Sequence, residues 1–285
     1  MILTVTLNAA LDVTYVVDAL VVHGTNRVRE VHQRAGGKGV NVARLLHALG
    51  HDVVATGFAS DVVRGELRAA GIPEEFVTTA GRRTVTVVDR ADATVLNEPG
   101  SIVSDAQWTS LVTRVRSLTA HADAVVLAGS LPPGVPGDAY AQLGAASRAP
   151  VLLDTSGSAL LAGLAARPAV VKPNRAELAE LGESPEALLD RGAAAVVVSC
   201  GADGLVAVTG ERGWRAVPPE LVEGNPTGAG DAVVAALAAT FGESWPRRLA
   251  DAVALSAAAV VSPVAGEFDR GAYERFRTTA SVEEI

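Results

Sequence analysis

The stretch Gly228-Ala229-Gly230-Asp231, which runs straight into the Ala- and Val-rich segment Ala232 to Ala239, sets how the rest of the chain is read. A turn of small residues opening into a helix aims backbone N–H groups and the positive end of the helix dipole at one point, a good setting for a developing anion. Asp231 stands beside that point. A carboxylate there can take a proton from an alcohol while the amides hold charge gathering on the group under attack, the division of labour that phosphoryl transfer requires. The same four residues also suit a tight turn capping a buried helix, and short glycine motifs recur widely. The surrounding sequence decides between the two.

Outward from that turn, short β-rich runs alternate with helical patterns. Strands are predicted at Ile2 to Thr6, Asp52 to Thr56, Ala124 to Leu127, Val151 to Leu153, Ala169 to Val171 and Ala195 to Val198. Helices are predicted near residues 40–49, 61–70, 105–119, 136–147, 157–165, 175–191, 230–241 and 247–261. Such alternation builds βαβ units, and so an α/β protein whose mostly parallel sheet is covered by helices on both faces. Ligands of such sheets bind beyond the carboxyl ends of the strands. Two segments, Asp12 to Gln33 and Arg83 to Asn97, carry period-two alternation (Val13, Tyr15, Val17; Val85, Val87; Thr94, Leu96) with no helix between strands. They are expected to form a small separate sheet that acts as a lid and excludes water; a surface hairpin without a role is the other reading. The expected organisation is one domain over residues 1–285, with lid segments inserted at about 12–33 and 83–97.

With 24 basic against 32 acidic residues and a net charge of -8, the chain does not read as a binder of nucleic acid or acidic membrane, although local basic pockets are compatible with it. The single cysteine, Cys200, excludes an internal disulfide framework and a multi-cysteine zinc site and fits a reducing compartment. The start Met1-Ile2-Leu3-Thr4-Val5-Thr6-Leu7-Asn8 lacks the pattern of a signal peptide, and no apolar span reads as a membrane helix, so a cytoplasmic location is expected.

A second glycine-rich stretch, Ala35-Gly36-Gly37-Lys38-Gly39-Val40-Asn41-Val42-Ala43, precedes an amphipathic helix marked by Val42, Leu45, Leu46 and Leu49. It is not a Walker P-loop, because His32 and Gly39 stand where that pattern needs a glycine and a Ser or Thr; the spacing does not make a Rossmann fingerprint either. Lys38 and Asn41 can present a cation and an amide to a polyhydroxylated substrate, and Asp12, after the first strand, can accept from sugar hydroxyls.

Gly36 to Ala43 and Gly228 to Asp231 are similar to the two signatures of the ribokinase-type carbohydrate kinase family, in the branch of 1-phosphofructokinase, tagatose-6-phosphate kinase and the minor 6-phosphofructokinase. Three further matches lie between them in the family's order: Gly129-Ser130-Leu131-Pro132-Pro133-Gly134, Lys172-Pro173-Asn174 with Glu177, and Ser199-Cys200-Gly201 with Gly204. The resemblance spans nearly the whole chain. It implies a ribokinase-like three-layer α/β/α domain with a mostly parallel central sheet and a β-sheet lid, ATP and Mg²⁺ as cofactors, K⁺ as a candidate activator, and a homodimer through the lid, for which Val13, Tyr15, Val85 and Val87 would serve.

The resemblance also implies roles. Asp231 matches the catalytic base and Gly228, Ala229 and Gly230 the backbone anion hole. Lys172, Asn174, Ser199, Gly201 and Gly204 match nucleotide positions, and Glu177 the acidic residue that organises Mg²⁺, although alone it reads as a solvated helix residue. Asp12, Gly37 and Asn41 match sugar contacts. Arg27, Lys38, Arg82 and Ser130 fall at or near positions for a phosphate already on the sugar, with Arg83 an alternative to Arg82; arginine suits that job through forked, charge-assisted contacts.

Two departures stand out. Pro226 replaces the usual Thr or Ser two residues before Gly228, removing a backbone donor, and Thr84 replaces a common Asn near the sugar. The expected activity is ATP-dependent phosphorylation of a ketohexose phosphate, with fructose 1-phosphate giving fructose 1,6-bisphosphate. The alternatives are a tagatose-6-phosphate or fructose-6-phosphate kinase, a free-sugar kinase, or a non-catalytic sugar- or nucleotide-binding regulator. A dehydrogenase is disfavoured because no Gly-x-Gly-x-x-Gly follows the first strand.

Overall fold

A computed structural model describes residues 1–89 and 93–285; residues 90–92, within the second expected lid segment, lie outside the described residues. In chain order the strands are β1 (Ile2–Thr6), β2 (Ala10–Val16), β3 (Glu30–Gly36), β4 (Val53–Ala59), β5 (Glu74–Thr78), β6 (Arg82–Val88), β7 (Ala93–Asn97), β8 (Ala124–Ala128), β9 (Val151–Asp154), β10 (Val170–Val171), β11 (Ala195–Ser199), β12 (Leu205–Thr209), β13 (Gly213–Val217) and β14 (Ser281–Glu284). The helices are α1 (Lys38–Ala48), α2 (Asp61–Ala69), α3 (Asp105–Leu118), α4 (Ala139–Ala146), α5 (Gly157–Gly163), α6 (Arg175–Leu181), α7 (Pro185–Asp190), α8 (Ala229–Ala239), α9 (Trp245–Val261) and α10 (Arg270–Thr279).

The large sheet has the order β14-β13-β12-β11-β10-β9-β8-β1-β4-β5. Pairing is parallel from β5 to β11 and antiparallel from β11 to β14. Side chains of β1 alternate between two cores: Ile2 packs with residues of α1, α2, α8, α9 and α10, and Leu3 and Val5 with residues of α3 to α7. The result is helices on both faces of a central sheet. A separate four-stranded sheet, β3-β2-β6-β7, holds the two helix-free segments, with β2 and β6 parallel and the outer pairs antiparallel.

Some elements differ from the sequence expectation. The helix predicted over 175–191 is two helices, because Gly182 ends α6 in a left-handed conformation (φ 65°) and Ser184 caps α7 with Pro185 in its first turn. Strands β5 and β12 to β14 and helix α10 were not anticipated, although Leu205 and Ala207 on β12 and Trp214 and Ala216 on β13 show the period-two burial of a sheet edge.

Helix α8 is apolar on every side, and Ala232 to Ala238 are all buried. It lies against both α1 and α9, and its alanines let these neighbours come close without leaving gaps. There is no room for larger groups. Ala235→Leu is therefore expected to lower stability by about 1–3 kcal/mol through overpacking, read as a fall in denaturation midpoint with an unchanged denaturant slope.

Candidate active site

The first turn of α8 forms as the glycines require. Gly228 sits at the N-cap with φ +86°, a region closed to most side chains. The amide of Ala229 turns back to the Pro226 carbonyl (3.2 Å), and Asn225 braces the turn by accepting from the Thr227 amide (3.0 Å) and donating to the Pro263 carbonyl (2.9 Å). Pro226 thus occupies a position where its missing N–H is not needed. The amides of Gly230 and Asp231 follow in the same turn, where an α-helix offers them no internal acceptor.

Asp231 is buried, and its Oδ2 accepts from the Asn41 side-chain amide (2.8 Å). Burial pushes its carboxyl up to about 7; the neighbouring Asp154 adds to the rise, and Asn41, Lys38 and Lys172 oppose it. A carboxylate with its proton affinity near neutrality is well matched to general-base work.

The strand ends supply the charges that face it. Asp154 closes β9 and is almost completely buried, with Oδ1 3.0 Å from Lys38 Nζ and 3.4 Å from Lys172 Nζ. Its Oδ2 has no hydrogen-bond partner among the described residues. Burial works against the charge on Lys38, but Asp154, Glu177 and Asp231 outweigh it and hold the ammonium above its ordinary range. Asn174 and Glu177 form a reciprocal capping box at the start of α6, each side chain accepting from the other's backbone amide at 2.8 Å. The box turns the free Glu177 oxygen toward Lys38 (3.8 Å). Asn174 also bridges to Ser199, which brings the turn with Gly201 and Gly204 to the same place. These groups share a cavity of about 900 Å³ with Gly228–Asp231, and Val222, Val253 and Ala257 line it with apolar surface.

The small sheet brings a second group together. Asp12 on β2 lies directly across from Thr84 on β6 and Arg34 on β3. Burial raises its carboxyl, while the Thr84 hydrogen bond and the charges of Arg82, Arg34 and Arg44 pull it down. Arg82 donates through Nε to the Asn8 carbonyl (3.1 Å), and Asn8 in turn donates to Ser130 Oγ (3.2 Å). The Ser130 turn is pinned from below: the Gly129 carbonyl accepts from Tyr140 Oη (2.8 Å) and Thr155 Oγ1 (2.9 Å), and the Gly129 amide donates to the Asp154 carbonyl (3.0 Å).

The residues singled out from sequence therefore fall into two sets. Lys38, Asn41, Lys172, Asn174, Glu177 and Asp231 line the cavity, as do Ser199, Gly201, Gly204, Gly228, Ala229 and Gly230. Asp12, Arg82 and Ser130 belong with the small sheet and the Asn8 linkage, and Gly37 caps α1 between the two sets. Lys38, the first residue of α1, reaches back to the strand ends and meets Asp154 and Glu177. Arg27 is exposed in the loop between β2 and β3, and among the described residues no contact joins it to Arg82, Lys38 or Ser130. Arg83 points its charge to Glu98 (2.8 Å), which leaves Arg82 as the arginine facing Asp12. Sequence reading missed Asp154, Asn8, Arg34 and Arg44. An acidic residue at the carboxyl end of a parallel strand is the signal that pointed to Asp154.

The family description pfkB family carbohydrate kinase matches residues 5–267. The chain belongs to that family. This pfkB-family kinase is 40% identical over 292 aligned residues to a 1-phosphofructokinase of Rhodobacter capsulatus, with 91% of each chain covered. It is similar to the crystal structure of phosphofructokinase-2 from Escherichia coli in complex with potassium, with a TM-score of 0.91 at 26% identity, covering 97% of this chain and 98% of the other. Ribokinase of Thermotoga maritima shares the fold, with a TM-score of 0.80 at 18% identity, covering 98% and 99%. The kinase is thus a ribokinase-like phosphotransferase with an alcohol group as acceptor. Among the described residues no helix is long and apolar enough to cross a membrane.

The raised Asp231 carboxyl has a thermodynamic signature. Because its folded value of about 7 exceeds the ordinary 3.8, the unfolded chain loses this proton first, and stability falls as pH rises across that window. Asp231→Asn removes the burden, so its melting temperature is expected to gain on the wild type between pH 4 and pH 8, measured by thermal unfolding across that range.

Proposed function

We propose that this kinase uses ATP to phosphorylate a ketohexose phosphate, taking fructose 1-phosphate at its 6-hydroxyl to fructose 1,6-bisphosphate. The observation that carries the reading is the position of Asp231, buried against Asn41 at a helix N-terminus in a cavity that it shares with the paired lysines. The identity to a protein named 1-phosphofructokinase supports the choice of sugar.

In this reading Asp12 and Asn41 hold the sugar, and Asp231 takes the proton of the acceptor hydroxyl onto its carboxylate. The Gly230 and Asp231 amides, with the Lys38 and Lys172 ammonium groups, stabilise negative charge on the phosphoryl group in transfer. Lys38 thereby serves the transferred group rather than the sugar's own phosphate, which falls to Arg82 and Ser130. Asn174, Ser199, Gly201 and Gly204 border the place we assign to the nucleotide, with Val222, Val253 and Ala257 for its base. The small sheet, as a lid, shields the transfer from water.

The donor set fits Mg²⁺. Asp154 Oδ2 is a buried carboxylate oxygen without a partner among the described residues, Glu177 lies beside the same lysine, and Mg²⁺ takes few protein carboxylates together with water and phosphate oxygens. Asp154 and Glu177 would hold the ion. When bound, it neutralises charge on phosphate oxygens. K⁺ is retained as a candidate activator because the solved phosphofructokinase-2 carries potassium. A second copy of the chain is assigned to the sheet face that carries Tyr15, Val85 and Val87, beside which Val31 and Leu96 are more than half exposed; Val13, expected in that interface, is buried within the chain.

Asp231→Asn should lower kcat by about 10² to 10⁴ with nucleotide affinity retained, and should abolish an acidic limb near pH 7 in the kcat/KM profile of the free enzyme; a mutant of near-normal turnover overturns the assignment. Turnover across fructose 1-phosphate, fructose 6-phosphate, tagatose 6-phosphate, fructose and ribose names the acceptor. With the preferred phosphosugar, Arg82→Ala is expected to raise KM about 10- to 100-fold, the worth of a charge-assisted hydrogen bond. An equal loss with free sugar would remove Arg82 from the phosphate pocket.

A further inference from the structure

Asn8 lies two residues beyond β1 and is only 9% exposed, with a side chain that ties three segments together. Its nitrogen Nδ2 donates to the Pro99 carbonyl and to Ser130 Oγ, both at 3.2 Å, while its main-chain carbonyl receives Arg82 Nε at 3.1 Å. The Pro99 carbonyl can only accept, so the amide nitrogen must lie on that side and the carboxamide has one orientation. Both amide hydrogens are then committed, and Ser130 Oγ serves as an acceptor. Its own hydrogen is left to point away from Asn8, on a residue that is exposed.

Arg82 is organised in the same way. Nε is taken by Asn8, and Nη1 is shared between Thr84 Oγ1 (3.4 Å) and the Glu98 carbonyl (3.3 Å). Nη2 has no protein acceptor among the described residues. The room for the Asn8 carboxamide comes from Gly100, where φ is +104° and a Cβ would fall 2.4 Å from Asn8 Oδ1.

We propose that Asn8 is a positioning residue for the phosphate carried by the sugar: it turns the Ser130 hydroxyl into a donor and aims the free edge of the Arg82 guanidinium. The proposal rests on the phosphosugar reading above. The chemistry requires an amide. An aspartate of the same shape would accept from Ser130 instead of donating to it, face the Pro99 carbonyl with like charge, and set a negative group beside the bound phosphate. An alanine would free Ser130 to rotate. Through Pro99 and Gly100, the same side chain also fixes the segment by which β7 leaves the small sheet, so the sheet and the phosphate donors are set together.

The test is a double-mutant cycle on the full chain, with fructose 1-phosphate and fructose as acceptors and saturating ATP. Asn8→Ala is expected to raise KM for fructose 1-phosphate about tenfold, with a smaller change in kcat and a smaller loss with fructose. Asn8→Asp is expected to lose more than Asn8→Ala with the phosphosugar. In a Ser130→Ala background the effect of Asn8→Ala should shrink, because the hydroxyl it orients is gone. Should Asn8→Ala melt below the assay temperature, Asn8→Ser carries the same cycle.

An Asn8 loss that is undiminished in the Ser130→Ala background, or equal for the two acceptors, overturns the positioning role and leaves the proposed reaction standing. A wild type that prefers another phosphosugar moves the cycle to that substrate. A wild type with no preference for any phosphosugar over fructose overturns the pocket and the role of Asn8 together.

Discussion

Asp154 places a carboxylate in the interior and meets two ammonium groups there, and the geometry of the candidate cavity follows from that contact. A buried charge deprived of its partner costs on the order of 3–5 kcal/mol, so the first turn of α1 and the segment after β10 are both held to the end of β9. Helix α1 then carries the constraint onward. Asn41 lies one turn beyond Lys38 on the same helix face, and it is Asn41 that reaches Asp231. Asp231 and Lys38 are therefore linked through one short helix, with Lys172 joined to them by way of Asp154, and the Asp231 carboxyl feels all of them: Asp154 raises its proton affinity while Lys38 and Lys172 restrain the rise.

The group around Asp12 is built on a different principle. Its charges sit on strands of the small sheet, where register puts Asp12 beside Thr84 and Arg34. The charges of Arg82, Arg34 and Arg44, the last from α1, act on that one carboxylate, while Glu98 and Glu267 offset the arginines in turn, so the group is a local network of paired charges.

Local chemistry made much of this legible from the chain alone. The turn at Gly228 and the alanine-rich helix after it announce a tight approach, and the alternation of strands and helices foretells the parallel part of the large sheet. The residues that escaped notice are those whose meaning lies in distant partners. Asp154 reads as the polar end of a strand until Lys38, 116 residues away, is folded against it. Asn8 looks like an ordinary residue after β1, yet its contacts lie 91 and 122 positions along the chain. The pairing of Lys38 with Asp154 is hidden for a related reason: spacing locates Lys38 at the mouth of α1, and only the helix direction determines which way a side chain in the first turn reaches.

The turn at Gly129 and Ser130 is clamped to the turn at Asp154 and Thr155 by two hydrogen bonds, and Tyr140 of α4 adds a third to the same Gly129 carbonyl that Thr155 reaches. Neither turn can shift alone. Under the proposed reaction one of them sits at the sugar's existing phosphate and the other at the group being delivered, so the span between them is a fixed caliper. Such a scaffold gauges a carbohydrate by its length from end to end, and a chain one carbon shorter or longer would present its hydroxyl out of line however well its oxygens were matched.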